Sequence, residues 1–362
     1  MIVFFKFLIF LTFLITVESP IYAAHLPSAL EGYFQNQSLL FPKEQILVGW
    51  IDSDGSQYQT FGNSPIQDQA APLERLYEIG SLTKLFTTLS FTLLVEQGQL
   101  GWNDPVELFL PELRDTPAGQ IRLIQLATHS SGLPRDPFDP WNLTDLLRTQ
   151  SIRSGYPYSN CTHEQLIHFL KRVHLNQGLM AFQYSNVGIS LLERVLTQVS
   201  GQGFETLITQ QITEPLGMAG TTVRIPLAQT GSLLQGHHLF GFPVPPFELK
   251  ALVGAGGLRS TMRDLLLFAQ AQLRPPQTPL GNAMALTQNF TFSSLGADLK
   301  LGWMLQNSSR GNPIFWHHGL TDGFSSFLMI YPADQKALIV LRNRAVLSPM
   351  EIPFFLNLMQ AQ

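Results

Sequence analysis

Strand-like stretches lie at the two ends of this chain and helical ones between them, and that distribution restricts the fold more than any single motif. Near the start, Gln45 to Asp52 and Gln57 to Phe61 are rich in β-formers and are joined by Asp52-Ser53-Asp54-Gly55, which predicts a hairpin. Toward the C-terminus, Leu301 to Leu305, Ile314 to His318, Phe324 to Tyr331 and Ala337 to Arg342 alternate with short polar turns, the pattern of an antiparallel meander. From about residue 101 to 249 the pattern is helices broken by loops such as Asp136 to Pro140 and Phe242 to Pro246. The fold class expected is α/β (α+β): one antiparallel sheet built from both chain ends, flanked by helices, with a mainly helical subdomain inserted at roughly 101–249.

Composition bounds the function. A chain of 362 residues, 45% hydrophobic and 13% charged, has the makings of a well-packed core. A net charge of −4 from 22 basic and 26 acidic residues gives no electrostatic footprint for nucleic acid. Residues 1–24 place Lys6 before an apolar run from Phe7 to Val17, with Ala23 and Ala24 after it, and are expected to be a signal peptide of an exported, periplasmic or secreted, protein. An uncleaved anchor is the alternative; no later stretch reads as a span. Residues 25–362 then form one catalytic domain. Cys161 is the only cysteine, so no intrachain disulfide can form.

Three constellations could carry chemistry. Ser81-Leu82-Thr83-Lys84 puts a hydroxyl and an amine three positions apart at the start of a predicted helix, Ser81 to Gln97, with apolar residues at Leu82, Leu85, Phe86, Leu89 and Leu93. A serine needs a base to take its proton, and a lysine serves only when neutral, which burial and a helix N-terminus both favour. Tyr184-Ser185-Asn186 opens a second amphipathic helix, Val187 to Val199, where a phenol can relay a proton and a carboxamide can bind a substrate amide. Asn186 could equally be only that helix's cap. Trp316-His317-His318-Gly319 lies on a predicted strand whose alternation sends the two imidazoles to opposite faces, and Gly319 would admit a substrate backbone.

In this order the three elements resemble the serine β-lactamase and penicillin-binding-protein superfamily, particularly its class C β-lactamase-like branch. Tyr77 to Lys84 (YEIGSLTK), Leu126 to Pro134 (LATHSSGLP), Glu214 to Met218 (EPLGM) and Gly254 to Thr261 (GAGGLRST) are similar to that branch too, so the resemblance runs through nearly the whole mature chain. It implies a β-lactamase/transpeptidase-like fold in which Ser81 is the acylated nucleophile, Lys84 its proton acceptor and Tyr184 the group serving the leaving atom and the deacylating water. Asn186 would bind the substrate amide. His317 and Gly319 would match the first and third positions of the family's Lys-Thr-Gly strand, and the backbone N–H groups of Ser81 and Leu320 would form the oxyanion hole.

Histidines at 317 and 318 depart from the lysine and threonine of a class C β-lactamase, and His-x-Gly is common among the family's peptidases, esterases and D-amino-acid amidases. If His317 faces the cleft, its imidazolium should attract a substrate carboxylate at acid pH and release it as pH rises. Leu320-Thr321-Asp322-Gly323 also departs from the usual glycine-rich continuation. The expected reaction is hydrolysis of an amide or ester in a D-amino-acid peptide or small ester, with β-lactams as the alternative and a non-catalytic peptidoglycan receptor as a further one. Neither a cofactor nor a metal nor a stable protein partner is expected. His163 and His168 stand at i and i+5, about 140° apart on a helix, which removes a zinc-protease reading. The absence of Gly-x-Ser-x-Gly removes an α/β-hydrolase.

Overall fold

The computed structural model describes residues 21–23, 26–41, 43–62, 71–137, 161–175, 181–294, 297–346 and 351–360. Most of the expected leader, 1–20 and 24, lies outside them. Seven strands form the central sheet: β1 (Ile21–Ala23), β2 (Ile46–Asp52), β3 (Gly55–Phe61), β4 (Met304–Asn307), β5 (Pro313–Leu320), β6 (Ser325–Tyr331) and β7 (Lys336–Arg342). Their order is β1-β3-β2-β7-β6-β5-β4. The two chain ends meet where β2 pairs antiparallel with β7, Val48 opposite Val340. Only β1 runs parallel to its neighbour. The first strand of the meander begins at Met304, later than expected, because Gly302 turns with φ +77° against the Thr88 side chain.

Helices of ten or more residues are α1 (Ser28–Leu40), α2 (Thr83–Glu96), α3 (His163–Arg172), α4 (Asn186–Ser200), α5 (Met262–Leu273), α6 (Pro279–Asn289) and α7 (Glu351–Gln360). Both faces of the sheet are covered, which is why β2 from Ile46 to Ile51 and β7 from Ala337 to Leu341 carry no polar side chain and are buried. On one face α1 and α7 bring Leu30, Phe34, Phe355 and Met359 against Trp50 and Tyr331. On the other, α2, α5 and α6 pack Phe86, Phe268 and Met284 against Leu328 and Ile339. A further core lies in the helical region, where Phe91 and Leu94 of α2 meet Leu191 and Leu192 of α4.

Helix α2 therefore belongs to two cores. Its expected apolar face is only part of what is covered, for every residue from Thr83 to Leu94 is buried. Its hydroxyls are satisfied internally: Thr88 Oγ1 donates to the Lys84 carbonyl at 2.9 Å, Thr92 to the Thr88 carbonyl at 2.8 Å and Thr87 to the Gly254 carbonyl at 2.7 Å. The threonines between the apolar positions are thus buried and hydrogen-bonded.

The turn Gly80–Leu82 that leads into α2 lies directly against the end of β5. Gly80 has φ +48°, and a Cβ there would fall 2.8 Å from the Leu320 nitrogen. A Cβ on Gly319 would fall 2.0 Å from the Ile79 carbonyl oxygen. Gly319 thus admits the protein's own backbone at that point, not a substrate's, which corrects the reason first given for it. Gly319→Ala should force strand and turn apart and lower stability by about 1–3 kcal/mol, as overpacking of a tight core does. Urea unfolding measures this, and an unchanged midpoint would show that the contact yields without cost.

Candidate active site

Because α2 is enclosed, Lys84 at its second position is fully buried, and burial holds its amine well below the usual lysine range. Its Nζ lies 2.9 Å from Ser81 Oγ and donates to the Ala255 carbonyl at 2.5 Å. In the neutral amine, an N–H engaged by Ala255 orients the nitrogen and leaves its lone pair for the Ser81 proton. Ala255 is held in turn from α4: Glu193 Oε2 accepts from the Gly254 N–H at 2.8 Å, and burial pushes that carboxyl up to about 7.

Across the pocket, the Tyr184 ring lies 4.9 Å from Lys84 Nζ. Two hydrogen bonds to one residue bracket it: the Gln183 N–H donates to the His129 carbonyl at 2.7 Å, and the Ser185 N–H to His129 Nδ1 at 3.1 Å. That second bond fixes the tautomer, since Nδ1 must be unprotonated to accept. Burial keeps the ring neutral, with a pKa of about 3. His129 takes a left-handed φ of +56° to reach both groups, strain of the kind found at functional sites. Sequence reasoning quoted its stretch without giving it this role.

Ser185, not Asn186, caps α4, its side chain accepting from the Gly188 N–H at 2.8 Å. Asn186 is therefore free of the capping role and lines the pocket, its Nδ2 donating to Asp136 Oδ1 at 2.7 Å. Ser81, Tyr184, Asn186 and Leu320 all line one cavity of about 350 Å³, with Lys84 beneath it.

The third motif is placed differently from expectation. His317 is fully buried, and its Nδ1 must carry the proton because it donates to the His318 carbonyl at 2.8 Å. Burial keeps it neutral, far below the ordinary histidine range, and its ring centre is 6.2 Å from that of Tyr184. The imidazole that lines the cavity is His318, which burial holds at about 4. The expected attraction of a carboxylate by a His317 imidazolium is thereby overturned. Period two correctly separated the two rings, but of the strand's side chains it is those of His318 and Leu320 that reach the cavity, while Trp316 packs against the core under α1 and α7.

A lysine that meets a serine in its neutral form is built to take that serine's proton, and this chemistry with this sheet defines the serine hydrolases of the β-lactamase fold. The chain belongs to the Beta-lactamase family, whose model matches residues 54–353. It is 27% identical over 318 residues to the D-alanyl-D-alanine-carboxypeptidase/endopeptidase AmpH of Escherichia coli K12, covering 82% of this chain and 79% of that one. It is 27% identical over 353 residues to a Pseudomonas fluorescens protein named Beta-lactamase, covering 88% and 92%. The solved β-lactamase/D-alanine carboxypeptidase of Pseudomonas syringae shares the fold with a TM-score of 0.77 at 20% identity, over 92% of this chain and 99% of that one.

Three outcomes are expected. Lys84→Ala should slow acylation by about 10²–10⁴-fold, the usual worth of a positioned base, in stopped-flow labelling. In the parent, acylation should stay flat with pH above the depressed lysine pKa and fall only as pH drops through it, since the base is the neutral form. Separately, KM for a carboxylate-bearing substrate should show no histidine-linked change between about pH 5 and 8, because His318, the imidazole lining the cavity, is held by burial at about 4 and His317 is buried away from it. A sigmoid near pH 6.5 that disappears in His318→Gln would contradict this.

Proposed function

We propose that the chain hydrolyses an amide or ester bond through an acyl-Ser81 intermediate, acting on D-amino-acid peptides of the cell wall or on small esters. The observation that carries this reading is the fully buried Lys84 amine, its charged form disfavoured by burial, 2.9 Å from Ser81 Oγ at the base of an open cavity. Ser81 Oγ passes its proton to Lys84 Nζ and bonds to the substrate carbonyl carbon. The resulting oxyanion is received by the backbone N–H groups of Ser81 and Leu320, whose segments abut through Gly80 and Gly319. Collapse breaks the C–N or C–O bond, and the proton reaches the leaving atom through Tyr184. Water then attacks the acyl carbon, gives its proton back along the same groups, and frees Ser81. Asn186 keeps its Oδ1 and one Nδ2 hydrogen for a substrate amide.

The leader-like N-terminus supports export, and among the described residues no helix is long and apolar enough to cross a membrane. The substrate is a small molecule or peptide, and no stable protein partner is required. β-Lactam hydrolysis is the second reading, favoured by the Pseudomonas fluorescens relative's name; the neutral histidines where a β-lactamase has lysine and threonine weigh against it.

Ser81→Ala should abolish covalent labelling by a fluorescent penicillin or a fluorophosphonate, and turnover of nitrocefin, a D-alanyl-D-alanine peptide and p-nitrophenyl acetate, while the melting temperature holds. Intact-mass labelling of folded Ser81→Ala at another serine would overturn the assignment. A parent protein that takes up neither label and turns over nothing would instead be a non-catalytic receptor.

A further inference from the structure

Beyond the nucleophile, the cavity presents an apolar wall on a fixed backbone. The Phe247 N–H donates to Glu78 Oε1 at 2.5 Å, and its carbonyl accepts from Arg259 Nη2 at 2.5 Å. Glu78 and Arg259 are themselves buried and 4.0 Å apart, so Phe247 is held from both sides. Leu249 and Met304 extend the same lining.

Upstream of Phe247 the chain runs through Pro243-Val244-Pro245-Pro246 from a hairpin that pairs Gly236–His237 with Pro243–Val244. That hairpin rests on the loop after β5: the His237 N–H donates to the Gly323 carbonyl at 3.1 Å, and a Cβ on Gly323 would fall 2.6 Å from a Val244 methyl. Its tip is tied by a bond from the Arg344 guanidinium to the Leu239 carbonyl and by the His238 N–H to the Phe242 carbonyl at 2.8 Å. On this ordered tip Leu239, Phe240 and Phe242 are 45%, 75% and 68% exposed. Clustered apolar exposure on an ordered tip whose chain leads directly into the cavity-lining Phe247 marks a binding surface.

Charge agrees with the shape. On the strand wall both imidazoles are neutral, so a carboxylate placed there meets no cation. Arg135, on the opposite wall, has Asp136 Oδ2 at 3.7 Å and lies over the Tyr184 ring. Resting on Ser81 as the acylated nucleophile, we propose that the substrate is an ester of an uncharged aliphatic acid whose acyl chain lies along Phe247, Leu249 and Met304 and emerges over Leu239, Phe240 and Phe242. Ser81 takes the acyl group, the alcohol leaves with a proton, and water releases the carboxylate.

The test is kcat/KM for p-nitrophenyl acetate, butyrate, octanoate and decanoate, each below its micelle concentration, with p-nitrophenyl hemiglutarate as the charged counterpart of butyrate. Expected is a rise with chain length of up to roughly fourfold per methylene, with hemiglutarate at least tenfold worse than butyrate. Phe247→Ala should lower the octanoate-to-acetate ratio, and Phe240→Ser with Phe242→Ser should lower the decanoate-to-octanoate ratio, both exposed positions being open to change without loss of packing. Acetate turnover that depends on Ser81 but is flat with chain length, or a preference for hemiglutarate that Arg135→Gln removes, would overturn the proposal and leave the acyl-serine reading standing. Loss of turnover on every ester, with no Ser81 labelling, would overturn both.

Discussion

Burial of helix α2 between two cores is the constraint from which the site follows. A helix enclosed on all sides leaves Lys84 fully buried, its amine within reach of Ser81 Oγ and the Ala255 carbonyl. An ammonium there carries several kcal/mol of desolvation, so burial favours the neutral amine, the form able to take a proton. The lowered proton affinity of Lys84 is thus a property of the packing: a looser core would let water reach the amine and draw it back toward an ordinary, protonated lysine.

Around that helix the protein spends buried polar groups on holding backbone, not on contacting substrate. His129 grips the residues on either side of Tyr184, Glu193 secures the segment that supplies Ala255, and Glu78 with Arg259 pins Phe247. Each is a buried ionisable group that makes a hydrogen bond to a main-chain atom, Glu78 accepting also from Thr321 Oγ1. Buried charged and imidazole groups outside a reaction centre are costly, and here each stands one bond away from a cavity wall, which explains why so much polarity is tolerated in the interior.

Much of this was legible in the sequence. Alternation and turn chemistry located the strands, and the sheet joined from both ends followed from where they fell. Ser81 and Lys84 were readable because they open an apolar helix. What was hidden depends on three-dimensional neighbours. That Thr87, Thr88 and Thr92 sit inside the core could not be seen, because sequence does not show that their hydroxyls bond carbonyls. Asn186 looked like a cap because Ser185, one residue earlier, fills that role equally well by type. Period two separated His317 from His318, but which of them borders the cavity depends on how β5 meets the Gly80 turn. His129 left no periodic signal, since its role comes from one left-handed φ.

The order of the sheet has a consequence for how the molecule comes into being. β7, the last strand to be synthesised, is also the middle strand, with β2 on one side and β6 on the other. Nothing synthesised earlier can close the sheet around the gap it fills, so the N-terminal hairpin and the three-strand meander remain separate edges until residues 336–342 arrive. Such non-local pairing is slow to form and exposes strand edges meanwhile. A chain that stops before residue 336 would hold the Ser81 turn on its N-terminal side and β5 within its meander, with no strand to join the two halves of the sheet.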